Sequence, residues 1–140
     1  MTRYLLDTDH ISLVQRQVAP VVAQLTRVRR VDQVVVSTIS VEEQIRGRLD
    51  IVRRYHASAM QVAAYAAFDS TVRYFNDWEI IGFTQAAYLT FVELRQQRIR
   101  IGSQDLRIAA IARAEGAILV TRNTRDFVQV PDLQLEDWTR

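Results

Sequence analysis

The chain has 140 residues, 49% of them hydrophobic, which excludes a disordered polymer and leads us to expect one folded domain over residues 1–140. It has no cysteine, and all 18 basic residues are arginine, so disulfides, thiolate metal sites and lysine chemistry are excluded. The net charge of +2 excludes a generic polycation; nucleic-acid contact would have to come from clustered arginines.

Tyr4-Leu5-Leu6 reads as a strand that stops at Asp7-Thr8-Asp9-His10. Ile11, Leu13, Val14 and Val18 predict a short helix broken before Pro20, and Val21, Val22, Leu25 and Val28 a second one ending in Arg27, Arg29 and Arg30. Val34-Val35-Val36-Ser37 is a second strand of the buried type; Thr38 or Ser40 is the expected cap of a helix carrying Val41, Glu42, Glu43, Ile45 and Leu49. From about Asp50 to Phe75 the pattern is helical and alanine-rich, as one helix or two, with Tyr65, Phe68, Val72 and Phe75 in one stripe. Trp78-Glu79-Ile80-Ile81 predicts a short strand, and Thr84 the cap of a helix with Ala87, Phe91, Leu94 and Arg98 on one face. Ser103 is the expected cap of the next helix, which holds Asp105 in its first turn and ends at Gly116. Ala117 to Thr121 is a buried strand, Arg122 to Phe127 a turn with helix-start character, and Leu133 to Glu136 a last strand after Pro131. Strands alternating with helices predict an α/β fold with a mainly parallel central sheet of four to five strands flanked by helices. No stretch is apolar for long enough to be a signal peptide or to span a membrane, and the absence of cysteine fits a reducing cytoplasm.

Acidic residues recur at equivalent points of this pattern. Asp7 ends the first strand, Glu43 lies early in the helix after the second, Asp105 opens its helix, and Asp126 follows the strand ending at Thr121. In a parallel sheet all four fall at the carboxyl edge, where ligands gather. Gathered carboxylates repel one another unless a cation sits among them, and oxygen donors without cysteine point to Mg²⁺ or Mn²⁺, ions that serve phosphoryl chemistry. Each residue alone also has a structural reading. Asp7 suits a strand-to-helix turn, Asp9 a helix cap and Asp105 a helix N-terminus, and Asn123 with Asp126 has the spacing of a capping box. His10 and His56 read as lone structural or exposed histidines. The recurrence of acids at one edge is what the structural readings do not predict. Asp7-Thr8-Asp9 after a strand also has the form of a haloacid-dehalogenase-like phosphatase motif, but those enzymes generally support the phosphorylated aspartate with a lysine, which is missing here.

Laid out in order, Leu5-Leu-Asp-Thr-Asp-His-Ile-Ser12, Ser40-Val-Glu-Glu-Gln-Ile-Arg-Gly47, Ile101-Gly-Ser-Gln-Asp-Leu-Arg-Ile-Ala-Ala110 and Leu119-Val-Thr-Arg-Asn-Thr-Arg-Asp-Phe127 resemble the PIN-domain ribonucleases, and among them the VapC toxins of bacterial type II toxin–antitoxin systems. The resemblance covers essentially the whole chain. It implies a PIN-like fold and a Mg²⁺- or Mn²⁺-dependent endoribonuclease acting on transfer, ribosomal or messenger RNA. It implies a cytoplasmic homodimer neutralised by a VapB-like antitoxin. It places the metal-binding acids on Asp7, Glu43 (rather than Glu42) and Asp105. The fourth acidic position falls on Asp126 or the polar Asn123, and Asp9 stands where the family commonly has asparagine, so Asp9 either adds charge to the site or caps its helix. Thr8, Arg46, Arg122 and Arg125 are expected near the RNA backbone. A groove for the antitoxin is expected between the alanine-rich helices of 50–75 and the helix after Thr84. The alternatives are a structure-specific or DNA-directed nuclease with the same acids, and a catalytically idle RNA- or antitoxin-binding module.

Overall fold

In the computed structural model, which describes residues 1–140, five strands form one sheet in the order β3-β2-β1-β4-β5, every neighbouring pair parallel. The strands are β1 (Arg3–Leu6), β2 (Gln33–Ser37), β3 (Ile80–Ile81), β4 (Ile118–Val120) and β5 (Leu135–Glu136). The helices are α1 (Thr8–Gln15), α2 (Ala19–Arg29), α3 (Thr38–Arg54), α4 (Gln61–Phe75), α5 (Gln85–Gln96), α6 (Ser103–Ala114) and α7 (Thr124–Phe127). The central strand β1 pairs Leu5 with Val35 and Leu119, and Leu6 with Val36 and Val120. Because side chains alternate along a strand, these two rows point to opposite faces. Leu5, Val35 and Leu119 pack under α5 and α6; Leu6, Val34, Val36 and Val120 pack under α1 and α2.

Helix α6 presents a buried face built largely from small residues. Ala109, Ala110 and Ala112 are fully buried beside Ile108 and Ile111. Burying each of those isoleucines contributes about 1.5–3 kcal/mol. On its outer side α6 meets α5, where Phe91 is buried against Phe83 and under the Arg107 guanidinium, 4.7 Å from the ring centre. Phe91 is therefore core and forms no wall of an open groove. The exposed apolar side chains sit instead on α4, as Val62, Tyr65 and Val72, with Met60 just before it and Tyr88 and Leu89 on α5. The 50–75 segment is two helices, α3 and α4, broken at 55–60.

Several helix ends differ from expectation. Pro20 falls in the first turn of α2, where its missing N–H costs nothing, so it starts a helix rather than only breaking one. Asp7, not Asp9, caps α1, and Ser37 caps α3 by accepting from the Ser40 amide. Gly102 occupies the cap position of α6, with Ser103 as the first helical residue and no side-chain cap. Thr84 caps α5 as expected. No helix is long and apolar enough to cross a membrane.

Candidate active site

With every strand parallel, the chain leaves the sheet at the same edge after β1, β2 and β4, and α6, which feeds β4, begins there. Asp7 follows β1 directly, and its amide continues the ladder by donating to the Val120 carbonyl at 3.0 Å. This bond fixes the backbone, and the cap fixes the side chain: Asp7 Oδ1 accepts from the His10 amide at 2.7 Å. The carboxylate is buried, 7% exposed.

Glu43 stands in the second turn of α3 and turns toward α1, where the Thr8 hydroxyl donates to its Oε1 at 2.9 Å. Thr8 Oγ1 also lies 2.8 Å from the hydroxyl of Ser40, which is fully buried. Because the Thr8 proton is given to Glu43, the Ser40 hydroxyl is the donor in that second bond. Glu42 points the other way. It is salt-bridged to Arg46 and accepts from Gln104 Nε2 on α6 at 2.8 Å, and Gln104 in turn accepts from Arg107 at 3.0 Å. Glu42 thus ties α3 to α6 next to the acids, and Arg46 is held by it.

Asp105 is the electrostatic centre of this edge. Its carboxyl is pushed above the usual aspartate range, first by burial and then by the charges of Glu43, Asp7 and Asp126. Three acids, Glu43, Asp7 and Asp126, therefore lie close enough for their charges to act on Asp105. Past β4, the Thr121 hydroxyl accepts from the Asn123 amide at 2.9 Å, and the turn leads into α7, whose Asp126 is near enough for its charge to act on Asp105. Asn123 Nδ2 donates to Asp126 Oδ2 at 3.0 Å, a bond between side chains that leaves α7 without a side-chain cap. Asp9 is neutralised in a two-bond fork by Arg122, whose Nε and Nη2 donate at 2.7 and 2.9 Å. That fork drives the Arg122 ionisation further up and keeps Asp9 out of the unpaired set. Arg125 is exposed at the same rim.

Asp7, Asp9 and His10 also present ligand-type atoms within 4.8 Å of one another. His10 has no lone pair free for a cation, however. Its Nε2 accepts from the Trp138 amide at 3.3 Å, which leaves the proton on Nδ1, facing Asp7 Oδ1 at 3.2 Å. Sequence reasoning set His10 aside as a lone histidine, considered Ser40 only as a helix cap and gave Trp138 no role. The signal it could have used is a histidine inside the otherwise apolar face formed by Ile11, Leu13 and Val14.

The arrangement is that of a PIN-like domain. A ribonuclease VapC1 of Haemophilus influenzae strain R2866 is 27% identical over 138 residues, covering 98% of each chain. A ribonuclease VapC2 of Rickettsia felis is 42% identical over 66 residues, 44% of this chain and 49% of that one. The solved VapBC2 complex of Rickettsia felis, bound to a DNA fragment from its promoter, superposes with a TM-score of 0.76 at 26% identity, covering 98% of this chain and 99% of that one. No family model matches the chain. In sequence and in fold the chain is thus similar to these VapC ribonucleases.

Proposed function

We propose that this chain is a metal-dependent endoribonuclease and the toxin of a type II toxin–antitoxin pair, like the VapC ribonucleases it resembles. The observation that carries the reading is the acidic carboxyl edge of the sheet, where Asp7 and Glu43 are held by hydrogen bonds and Asp105 is pushed up first by burial and then by the charges of Glu43, Asp7 and Asp126. The donors are all oxygen, the chain has no cysteine, and both His10 nitrogens are engaged, so the set fits a hard divalent cation, Mg²⁺ or Mn²⁺. Asp7, Glu43 and Asp105 would hold it, with Asp126 assisting. When bound, such an ion makes water more acidic and offsets charge on a phosphodiester.

The chain's own residues supply the rest. Thr8 and Ser40 keep Glu43 turned inward. Arg122 and Arg125 at the rim, with Thr8 and Asn123, face the RNA backbone; Arg122 is held in place by Asp9, and Arg46 by Glu42. Hydrolysis adds water across the P–O3′ bond: the water oxygen joins phosphorus and a proton ends on the departing 3′ oxygen. The products carry a 5′-phosphate and a 3′-hydroxyl. A VapB-like antitoxin covers the exposed apolar row of α4, and the protein works as a homodimer in the cytoplasm, over one domain of residues 1–140.

The test is incubation of the purified protein with RNA and with DNA of the same sequence, in chelator and in Mg²⁺ or Mn²⁺. RNA cleavage only with metal, leaving 5′-phosphates, supports the reading. Cyclic phosphate ends would overturn the mechanism. Cleavage confined to DNA would replace the substrate, and no cleavage of either would leave a binding module.

A further inference from the structure

We infer that His10 is a positioning residue for Asp7, through which the last strand and Trp138 set the orientation of the acid at the centre of the site. The inference rests on the reading of Asp7 as a metal ligand. His10 is fully buried, and each of its ring nitrogens has a partner from a different end of the chain. The Trp138 amide donates to Nε2 at 3.3 Å, so this nitrogen carries the lone pair and Nδ1 carries the hydrogen. That hydrogen faces Asp7 Oδ1 at 3.2 Å. Asp137 Oδ1 is 3.9 Å from Nε2, beyond hydrogen-bond reach, and is already taken by the Thr139 amide at 2.9 Å and hydroxyl at 2.6 Å.

Asp7 Oδ1 thus receives two hydrogen bonds, from the amide and the ring of the same residue. This fixes the carboxylate through Oδ1 and leaves Oδ2 outside both bonds. Trp138 is itself pinned, buried with its ring 5.7 Å from that of Tyr4 and its indole N–H on Glu136 at 3.0 Å. Glu136 is in β5, and its carbonyl accepts from the Thr121 amide at 2.8 Å. The edge strand, the histidine and the acid therefore form one continuous set of contacts. Partners that orient a metal ligand from behind typically change metal affinity about 10–100-fold when removed.

Two substitutions separate positioning from plain packing, because each keeps one half of the imidazole's function. His10→Asn retains a donor where Nδ1 stood; His10→Gln retains an acceptor where Nε2 stood. Both lose the ring. The measurement is Mn²⁺ affinity, by calorimetry or by thermal shift against metal concentration. The expected result is that H10N stays within about threefold of the parent while H10Q weakens about tenfold or more. Equal affinities for H10Q and parent, or equal losses for both variants, would overturn the inference and reduce His10 to a filler of the core. A parent that binds no Mn²⁺ fails the metal-site reading itself, a different outcome. Should neither variant fold, the parent still decides. Nuclear magnetic resonance of the ring nitrogens is expected to show the Nδ1–H tautomer, with its proton resonance moving as Mg²⁺ is added. The Nε2–H tautomer, or a resonance indifferent to Mg²⁺ in a protein that binds it, would also overturn the inference.

Discussion

Asp105 carries a charge that its surroundings resist, and this has consequences for both pH and metal. Its ionised form is disfavoured in the fold by burial and by three neighbouring acids, so its pKa is higher folded than unfolded. The folded state then binds the proton more tightly than the unfolded state does. In chelator, stability from this group falls as pH rises from the ordinary aspartate range through the raised folded value. Asp105→Asn removes the repulsion, so the variant is expected to be as stable as the parent at neutral pH in chelator, or more so, and to lose the parent's gain in Tm on Mn²⁺ addition. Melts of both proteins with chelator and with Mn²⁺ check this; an unchanged Mn²⁺ shift in the variant would remove Asp105 from the site. A cation must also displace the Asp105 proton, so apparent Mn²⁺ affinity is expected to weaken as pH falls through the raised value, measurable by calorimetry across pH. Asp7, Asp105 and Asp126 could be singled out because each sits at a strand end or in a first helical turn, whereas Glu43, in a second turn, was separated from Glu42 only by the family resemblance. His10 could not, because its role depends on Trp138, 128 positions away, and no local pattern records that contact.

At the scale of elements, three helices end alike and only one shows it in its sequence. After α6 the chain turns at Gly116, φ 63°, with the Ala117 amide on the Ala112 carbonyl at 2.8 Å and the Gly116 amide on Arg113 at 3.2 Å. After α1 the same turn is made by Gln17, φ 59°, and after α5 Arg98, φ 56°, takes the same backbone angle with only its own amide bonded back, to the Arg95 carbonyl at 3.0 Å. A side chain in this left-handed region costs roughly 1 kcal/mol, which glycine avoids. Gly116→Ala is expected to destabilise by about that amount, since no atom crowds the position and only the backbone angle matters. Arg98→Gly is expected to stabilise by about 0.5–1 kcal/mol and to raise Tm by about 2–4 °C. Denaturant melts measure both, and a destabilised R98G would show that the arginine side chain outweighs its backbone strain. The end of α6 could be read from its glycine. Those of α1 and α5 were blurred because glutamine and arginine there are ordinary helix residues. Caps went astray for a similar reason: Ser37 and Thr38, or Asp7 and Asp9, are equally good capping residues, and the strand ends that select one of each pair are tertiary facts.

At the scale of the whole molecule, the strand-and-helix alternation was enough for the parallel sheet, but not for the strand order, in which β1 takes β2 on one side and β4 on the other. Nor could the sequence separate Phe91, which is core, from Val62 and Tyr65, which are exposed at equally apolar helical positions. If the α4 row receives the antitoxin, Tyr65→Asp is expected to leave Tm within about 2 °C, because the residue is on the surface, and to weaken antitoxin binding tenfold or more. Calorimetry with the protein encoded by the adjacent reading frame tests this, and unaltered affinity would move the docking surface elsewhere. The support of Asp7 by Trp138 also reaches beyond the finished fold, into synthesis. A ribosome makes Asp7 and His10 among the first residues and Trp138 some 128 residues later. At ~5–20 residues per second that interval is on the order of ten seconds. Throughout it the nascent chain carries Asp7 and His10 without β5 or the Trp138 amide. The contact that orders Asp7 is therefore among the last that the growing polypeptide can make.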